Sequence, residues 1–406
     1  MNLHQGGDDP RSAPSDDTTI LRRLTARDFR NFERLDVEFE DSGAVLVGEN
    51  GQGKTNLLEA IAYLQLLRSV RGVRDVDLVR FGAESFHLGA DFARDGERTA
   101  GVGFEKSNRA KRVRVDGVVP DRLSDALGAL PSVMFSPGDV ELIAGSPSSR
   151  RRYLDIVLAL TAPHAGYLAA LQRYRGALAR RNAAMRDAAR GGHGAGSVAV
   201  WEPALAESGA VLVTERIRWV RAMAPRFSAL CAAIGEQGVV ALGYHTSLQT
   251  HDDMSAESVR DALRESLDQR RASDIRRGLT HTGPHRDDLA ITICESGASA
   301  APRDLRIFGS AGQQRTAAIV LRLLEAETFR ARLRLVPVML LDDPFAELDV
   351  RRSARILELL RGTALGQTIL AVPRASDIPA ELSALPRMRV VSGRVDAEYD
   401  ARAGAA

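Results

Sequence analysis

Gly48-Glu49-Asn50-Gly51-Gln52-Gly53-Lys54-Thr55 decides the reading of this chain. It satisfies G-x-x-x-x-G-K-T, in which glycines let successive backbone N–H groups converge on phosphate oxygens at a helix N-terminus. Its surroundings fit. The apolar run Ala44-Val45-Leu46-Val47 leads into it as a strand, and Leu57, Leu58, Ile61 and Leu64 follow at helical spacing. Gly48, Gly51 and Gly53 are expected to supply loop flexibility. Lys54 is expected to place its ammonium on the β- and γ-phosphates, and Thr55 to ligate Mg²⁺.

Far downstream, Val336-Pro337-Val338-Met339-Leu340-Leu341-Asp342-Asp343 reads as an apolar strand ending in two carboxylates. Asp342 is the expected holder of Mg²⁺. Asp343 takes the place of the residue that polarises attacking water, and its short side chain predicts slow hydrolysis. Two exposed aspartates closing a core strand are the plainer alternative. Ser310-Ala311-Gly312-Gln313-Gln314-Arg315-Thr316 forms a second expected helix start, which on its own is an ordinary N-cap. Together with the phosphate loop and the aspartates it resembles the signature loop of ATPases that sandwich nucleotide between two subunits. Glu347-Leu348-Asp349 follows at the distance of a D-loop.

Outward from these motifs, 406 residues with 44% hydrophobic content allow two domains and a sizeable core. Met1–Asp17 is polar and acidic and reads as a disordered tail without a secretion signal. No run approaches the ~18 apolar residues of a membrane span. The two cysteines, Cys231 and Cys294, suit reduced core thiols and a cytoplasmic setting. Net charge is only +2, yet Arg150 to Arg190 holds nine arginines against Asp155 and Asp187. Such a face can bind phosphates. A chain with three lysines also uses arginine everywhere, so composition leaves both readings open.

Periodicity divides the chain into a tail (1–18), a strand-rich head portion (19–149), a helical insertion (150–278) and a closing head portion (279–406). Leu35, Val37 and Phe39 alternate as a strand, and Arg112–Val118 reads as a hairpin turning at Asp116-Gly117. Val259, Leu263 and Leu267 recur every four residues, with loops expected at Gly191–Gly194 and Gly243. Trp201 and Trp219 are expected to pack the insertion. A helix from about Thr316, one from Arg351 and a strand at Thr368–Val372 complete an α/β head of the ABC-type P-loop class, assembled from both chain ends.

The motifs together are more specific. Phe29-Arg30-Asn31-Phe32, Gly48 to Asn56, Arg68-Ser69-Val70-Arg71, Phe135-Ser136-Pro137, Gly145-Ser146-Pro147-Ser148 with Arg150-Arg151-Arg152, Gly283-Pro284-His285-Arg286-Asp287-Asp288-Leu289, Gly312–Thr316 and Leu341–Asp343 resemble the RecF family over roughly residues 20–397. That resemblance implies an ATP-dependent homodimer that binds DNA at gaps or junctions between double and single strands. It implies RecO and RecR as partners in loading RecA, and weak DNA-stimulated ATPase activity used as a switch. It places nucleotide on Gly48, Glu49, Asn50, Gly51, Gln52, Gly53, Lys54, Thr55 and Asn56, with Ser310, Gly312 and Gln313 across the dimer. Arg150, Arg151, Arg152 and Arg71 are the expected DNA contacts. Val372-Pro373-Arg374 lacks the histidine that senses γ-phosphate in many sandwich ATPases, and His285 and Arg286 are read as structural or DNA-facing.

Two other functions are weaker on this sequence. An ATPase-linked nuclease needs a carboxylate-rich domain after the head, for which the residues beyond Asp349 leave no room. A transporter subunit would carry a shorter insertion.

Overall fold

The computed structural model describes residues 18–162, 166–190, 196–248, 255–294, 301–345, 348–362 and 366–398. The expected tail through residue 17, the Gly191–Gly194 loop and Glu347 of the D-loop lie outside them. The chain forms two compact units, one of residues 1–136, 329–344 and 361–406, the other of 137–328 and 345–360.

The first unit contains a six-stranded sheet. In spatial order its strands are Arg394–Glu398, Arg387–Val391, Gly43–Val47, Thr368–Val372, Val338–Asp342 and Ser132–Phe135. All neighbours are parallel except the first pair. Parallel strands buried on both faces read as unbroken apolar runs, and Val338–Asp342 and Thr368–Val372 are buried at every position. Register aligns the strand ends that carry chemistry. Val47 pairs with Val372, and Asp342 pairs with Ala371, so the phosphate loop and Asp342 leave the sheet at one edge. Carboxyl ends of parallel strands are where such sheets bind ligands.

A five-stranded antiparallel sheet of Phe32–Glu38, Ile20–Phe29, Ser85–Ala93, Glu97–Glu105 and Ala110–Val115 completes this unit. Leu35 and Val37 point inward as their alternation implies. The Asp116-Gly117 turn has positive φ at both central residues, with reciprocal hydrogen bonds between Val115 and Val118. Phe29, Tyr63 and Phe86 meet edge-on at centroid separations of 5.3–6.3 Å. Each such pair contributes about 0.5–1.5 kcal/mol beyond its buried area, which fixes the helix Lys54–Leu66 against this sheet.

The second unit contains the helices Pro147–Thr161, Tyr167–Ala189, Glu202–Ile234 and Ala256–Arg277. Val259, Leu263 and Leu267 are buried along the last of these. Trp219 is fully buried, and its indole N–H donates to Thr328 at 3.0 Å. Arg180 stacks over Trp201.

Two expectations are corrected here. Gly243 lies inside the strand Val239–His245, paired with Ala290 of Asp288–Cys294, rather than in a loop. Alternating burial in that strand is weak, so it merged with its helical surroundings. The unit also extends past the expected insertion bounds of 150–278 and includes Ser310. Its helix begins at Ala311, five residues before the apolar period becomes visible at Thr316, because the capping turn is polar. Among the described residues no helix is long and apolar enough to cross a membrane.

Candidate nucleotide site

The phosphate loop ends on the helix Lys54–Leu66, whose N-cap is Gly53 at φ +121°, with no side chain capping it. Its first N–H groups therefore lack a side-chain partner where the helix dipole favours an anion. Gly48 serves differently from the expectation. It is absent from the positive-φ residues, but a Cβ there would meet the Val390 carbonyl oxygen at 2.3 Å. Close packing against the neighbouring strand, not flexibility, requires glycine at this position.

Side chains distant in sequence hold the loop. Asn31 Nδ2 donates to the Gln52 carbonyl at 2.9 Å, and Asn56 Nδ2 donates to Asn31 Oδ1 at 2.8 Å. From the hairpin of Arg387–Val391 and Arg394–Glu398, the Gly393 N–H reaches the Gln52 carbonyl at 2.9 Å, and the Ser392 N–H reaches Gln52 Oε1 at 2.6 Å. A Cβ at Gly53 would lie 2.7 Å from Asn31 Nδ2, so the clamp closes tightly.

Lys54 is buried, and its ammonium donates to the Gly48 carbonyl and, at 2.9 Å, to that of Glu49. Burial pulls its pKa below the ordinary lysine value, against the opposing pull of Asp342 and Asp343. A phosphate offered to this ammonium would replace neutral carbonyls with full charges.

The Thr55 hydroxyl donates to the Asp342 carboxylate, at 3.0 Å from Oδ1 and 2.9 Å from Oδ2. Burial raises the Asp342 pKa, opposed by the Thr55 hydrogen bond and by the charges of Lys54 and Arg71. One hydroxyl and one carboxylate are hard oxygen donors. They fit Mg²⁺, which keeps several waters and takes its remaining ligands from substrate phosphates. Asp343 sits at φ +45°, and its N–H donates to the Ala371 carbonyl at 2.9 Å.

Glu59 is a site residue that the sequence reading missed. It is fully buried on the phosphate-loop helix and takes a two-point contact from Arg30, at 3.0 and 3.1 Å, and a hydrogen bond from Ser69. Arg71 stands 3.8 Å from the same carboxylate and half exposed, with its N–H on Ser69 Oγ. The Arg30 and Ser69–Arg71 motifs are thus joined through one buried acid beside the phosphate loop. A glutamate five residues after Lys54 on the helix gives no local signal of this.

In the second unit, Ser310 and Gln313 form a reciprocal cap. Gln313 N–H donates to Ser310 Oγ at 3.3 Å, and Ser310 N–H donates to Gln313 Oε1 at 2.9 Å. Gln314 donates to the Leu305, Arg306 and Gly309 carbonyls. Arg352 reaches Thr316 Oγ1 at 3.1 Å and lies 3.4 Å from the Asp349 carboxylate, which ties Asp349 to the helix Ala311–Leu333.

The arginine run divides by position. Arg150 is 5% exposed. Its Nε and Nη2 donate to Asp288 at 2.9 and 2.8 Å, and its Nη1 to the Ile143 and Gly145 carbonyls. With those donors engaged it is a structural residue, which corrects its expected role as a DNA contact. Arg151 and Arg152 are half-buried, with Arg151 donating to the Asp287 carbonyl at 2.7 Å. His285 bridges the Tyr174 hydroxyl and the Thr280 carbonyl at 2.6 and 3.0 Å, and burial pulls its pKa down to about 4.

The model of the RecF/RecN/SMC N terminal domain family matches residues 20–377. The DNA replication and repair protein RecF of Frankia alni is 38% identical over 386 residues, covering 92% of this chain and 98% of that relative. Its counterpart from Bacillus cytotoxicus is 32% identical over 388 residues, covering 94% and 99%.

The chain belongs to the RecF family.

A solved structure of the recombination mediator protein RecF with ATP in the RecFOR pathway has a TM-score of 0.85 to this chain. It is 29% identical and covers 96% of this chain and 100% of its own. The RecF fold, an ABC-type ATPase head shared with SMC proteins, is the architecture described above.

Proposed function

We propose that this chain is an ATP-dependent, DNA-binding recombination mediator. In this reading two copies pair around ATP at gaps or double-to-single-strand junctions and, with RecO and RecR, help load RecA in the cytoplasm. The observation that carries it is the Thr55–Asp342 pair below an uncapped helix start, in a chain similar along nearly its whole length to RecF solved with ATP.

The chain's own groups supply the mechanism. N–H groups of residues 51–55 and the Lys54 ammonium would bind the phosphates. Thr55 and Asp342 would hold Mg²⁺, which when bound neutralises charge on the β- and γ-oxygens. Asp343 would orient water, and its short reach favours slow turnover. Ser310, Gly312 and Gln313 would face the triphosphate held by a second copy. ATP then acts as a reversible staple and hydrolysis as a timer.

Sizing of the purified protein without nucleotide, with ADP and with ATP, each with and without gapped DNA, tests this. ATP should double the mass and retain the gapped DNA, and Lys54→Ala should abolish both with nucleotide affinity falling at least about 100-fold. A wild type that stays monomeric with saturating ATP and gapped DNA would overturn the proposal.

A further inference from the structure

Two helix starts of the second unit converge on Arg352. It lies in the first turn of the helix Val350–Gly362, where its backbone N–H donates to Asp349 Oδ1 at 2.9 Å, so Asp349 caps that helix. Its side chain crosses to the other start. Nη1 donates to Thr316 Oγ1 at 3.1 Å, and Thr316 is fully buried in the helix Ala311–Leu333. The same nitrogen lies against Gly312, where a Cβ would come within 3.2 Å of it and stand 4.0 Å from Ser310 Oγ. Glycine at 312 therefore makes room for a guanidinium of this chain, whatever else approaches the turn.

Glu236 holds the guanidinium there. Its side chain is 2% exposed, and Oε1 lies 2.8 Å from Nη1 as an ion pair outside hydrogen-bond geometry. Among the described residues Glu236 pairs with no other cation. A buried carboxylate with one counter-charge gives it up only at a large cost, so the Arg352 side chain is anchored. Local charge then decides what it does. One guanidinium faces two carboxylates, Glu236 at 2.8 Å and Asp349 at 3.4 Å, and has no surplus positive charge to offer a phosphate. What it supplies is geometry, because its planar fork fixes groups from several segments at once. The turn itself needs such a restraint. Ser310 and Gln313 cap each other through exposed hydrogen bonds, for which water competes.

We propose that Arg352 is a positioning residue for the Ser310–Gly312 turn, locking it to the Asp349 cap so that a triphosphate held by a second copy meets both as one rigid surface. A surface ordered in advance loses less conformational freedom on association, so the lock favours pairing without touching nucleotide. The pairing part of this inference rests on the function proposed above; the restraint of the turn does not.

The test uses the full chain as wild type, as Arg352→Gln and as Glu236→Gln/Arg352→Gln, the second change removing the buried charge that the first leaves alone. Scanning fluorimetry reads stability, calorimetry reads ATP affinity, light scattering over a concentration series reads pairing in saturating ATP, and amide hydrogen exchange of the nucleotide-free protein reads the turn. Arg352→Gln should melt lower, and the double variant should recover towards wild type. Both should bind ATP within about twofold of wild type, pair about tenfold or more weakly, and exchange the amides of residues 310–314 about tenfold faster. Recovery of pairing together with stability in the double variant overturns the proposal, since Arg352 is then only the counter-charge of Glu236. Exchange at the turn equal to wild type overturns it as well. Should the double variant also melt low, faster exchange confined to the two helix starts supports the lock, and an even loss of protection across the unit overturns it. A wild type that stays monomeric in saturating ATP with gapped DNA overturns the mediator function instead, and exchange then decides the restraint alone.

Discussion

The Thr55 hydroxyl lies 2.9 Å from Asp342 Oδ2, although 287 residues separate the two in sequence. Parallel pairing of Gly43–Val47 with Thr368–Val372, and of that strand with Val338–Asp342, brings them together. The contact is therefore a property of the sheet.

Its energetic consequence is a trade between stability and function. Burial raises the Asp342 pKa, so the folded state holds this proton more tightly than the unfolded chain. Stability then falls as pH rises from the ordinary aspartate range through the raised value, and the full cost is present above it. Asp342→Asn removes that cost. At pH 8 the nucleotide-free variant should melt no lower than wild type, and about 2–4 °C higher for each kcal/mol recovered, with the difference shrinking towards pH 4. Mg²⁺-dependent ATP affinity should fall at least about tenfold. Scanning fluorimetry across pH and calorimetric ATP titration with and without Mg²⁺ measure the two halves. A variant that melts lower at pH 8 and gains on acidification would contradict the burial argument.

Asn31 is the next lever, because its amide links the Gln52 carbonyl to Asn56. Asn31→Ala leaves every phosphate-binding residue in place and loosens only the loop that carries them. Exposed neutral hydrogen bonds contribute about 0.5–1.5 kcal/mol each, so the melting point should change little. ATP affinity should drop about tenfold, since the loop must then be ordered on binding. Calorimetry reads this directly: the loss should be entropic, and affinity equal to wild type would show that the hairpin contacts of Ser392 and Gly393 hold the loop unaided.

How much of this was legible follows from the range of each signal. The phosphate loop is local, and its glycines, lysine and threonine fall within eight residues flanked by a strand and a helix, so it could be read directly. Asp342 was legible because a fully buried strand is a continuous apolar run. The clamp was not. Gln52 and Ser392 are 340 residues apart, and neither polar residue belongs to any period. Gly48 was recognised for the wrong reason, since packing against Val390 leaves no trace in a single sequence. Three consecutive arginines read as one surface run, yet on a helix they point in different directions, and Arg150 turns inward to Asp288.

Arg150 therefore carries a stability prediction. Arg150→Ala leaves Asp288 without its two-point partner and frees the Ile143 and Gly145 carbonyls. Breaking a buried pair costs about 3–5 kcal/mol. Asp288 is 25% exposed along its side chain, so water offsets part of this and about 2–3 kcal/mol is expected. Urea titration should show the loss as a lower midpoint at an unchanged slope. A variant as stable as wild type but weaker on DNA would return Arg150 to the contact role.

Ser310 separates capping from pairing. Its hydroxyl accepts from Gln313 N–H and its own N–H donates to Gln313 Oε1, so Ser310→Arg both removes a cap, at about 1 kcal/mol, and places a bulky charge at the helix start. Loss of pairing in that variant alone would be ambiguous, because a frayed helix could cause it. Ser310→Asp resolves the ambiguity. Aspartate caps as well as serine and suits the helix dipole, so melting should stay within about 0.5 kcal/mol of wild type. Its carboxylate would nevertheless oppose a triphosphate presented by a second copy. Both variants should bind ATP within about twofold of wild type, the lost contact being in trans, and light scattering should find both monomeric in saturating ATP. If Ser310→Asp pairs normally, the serine is a cap and nothing more, and the contact across the dimer must be sought elsewhere on the Ala311–Leu333 helix.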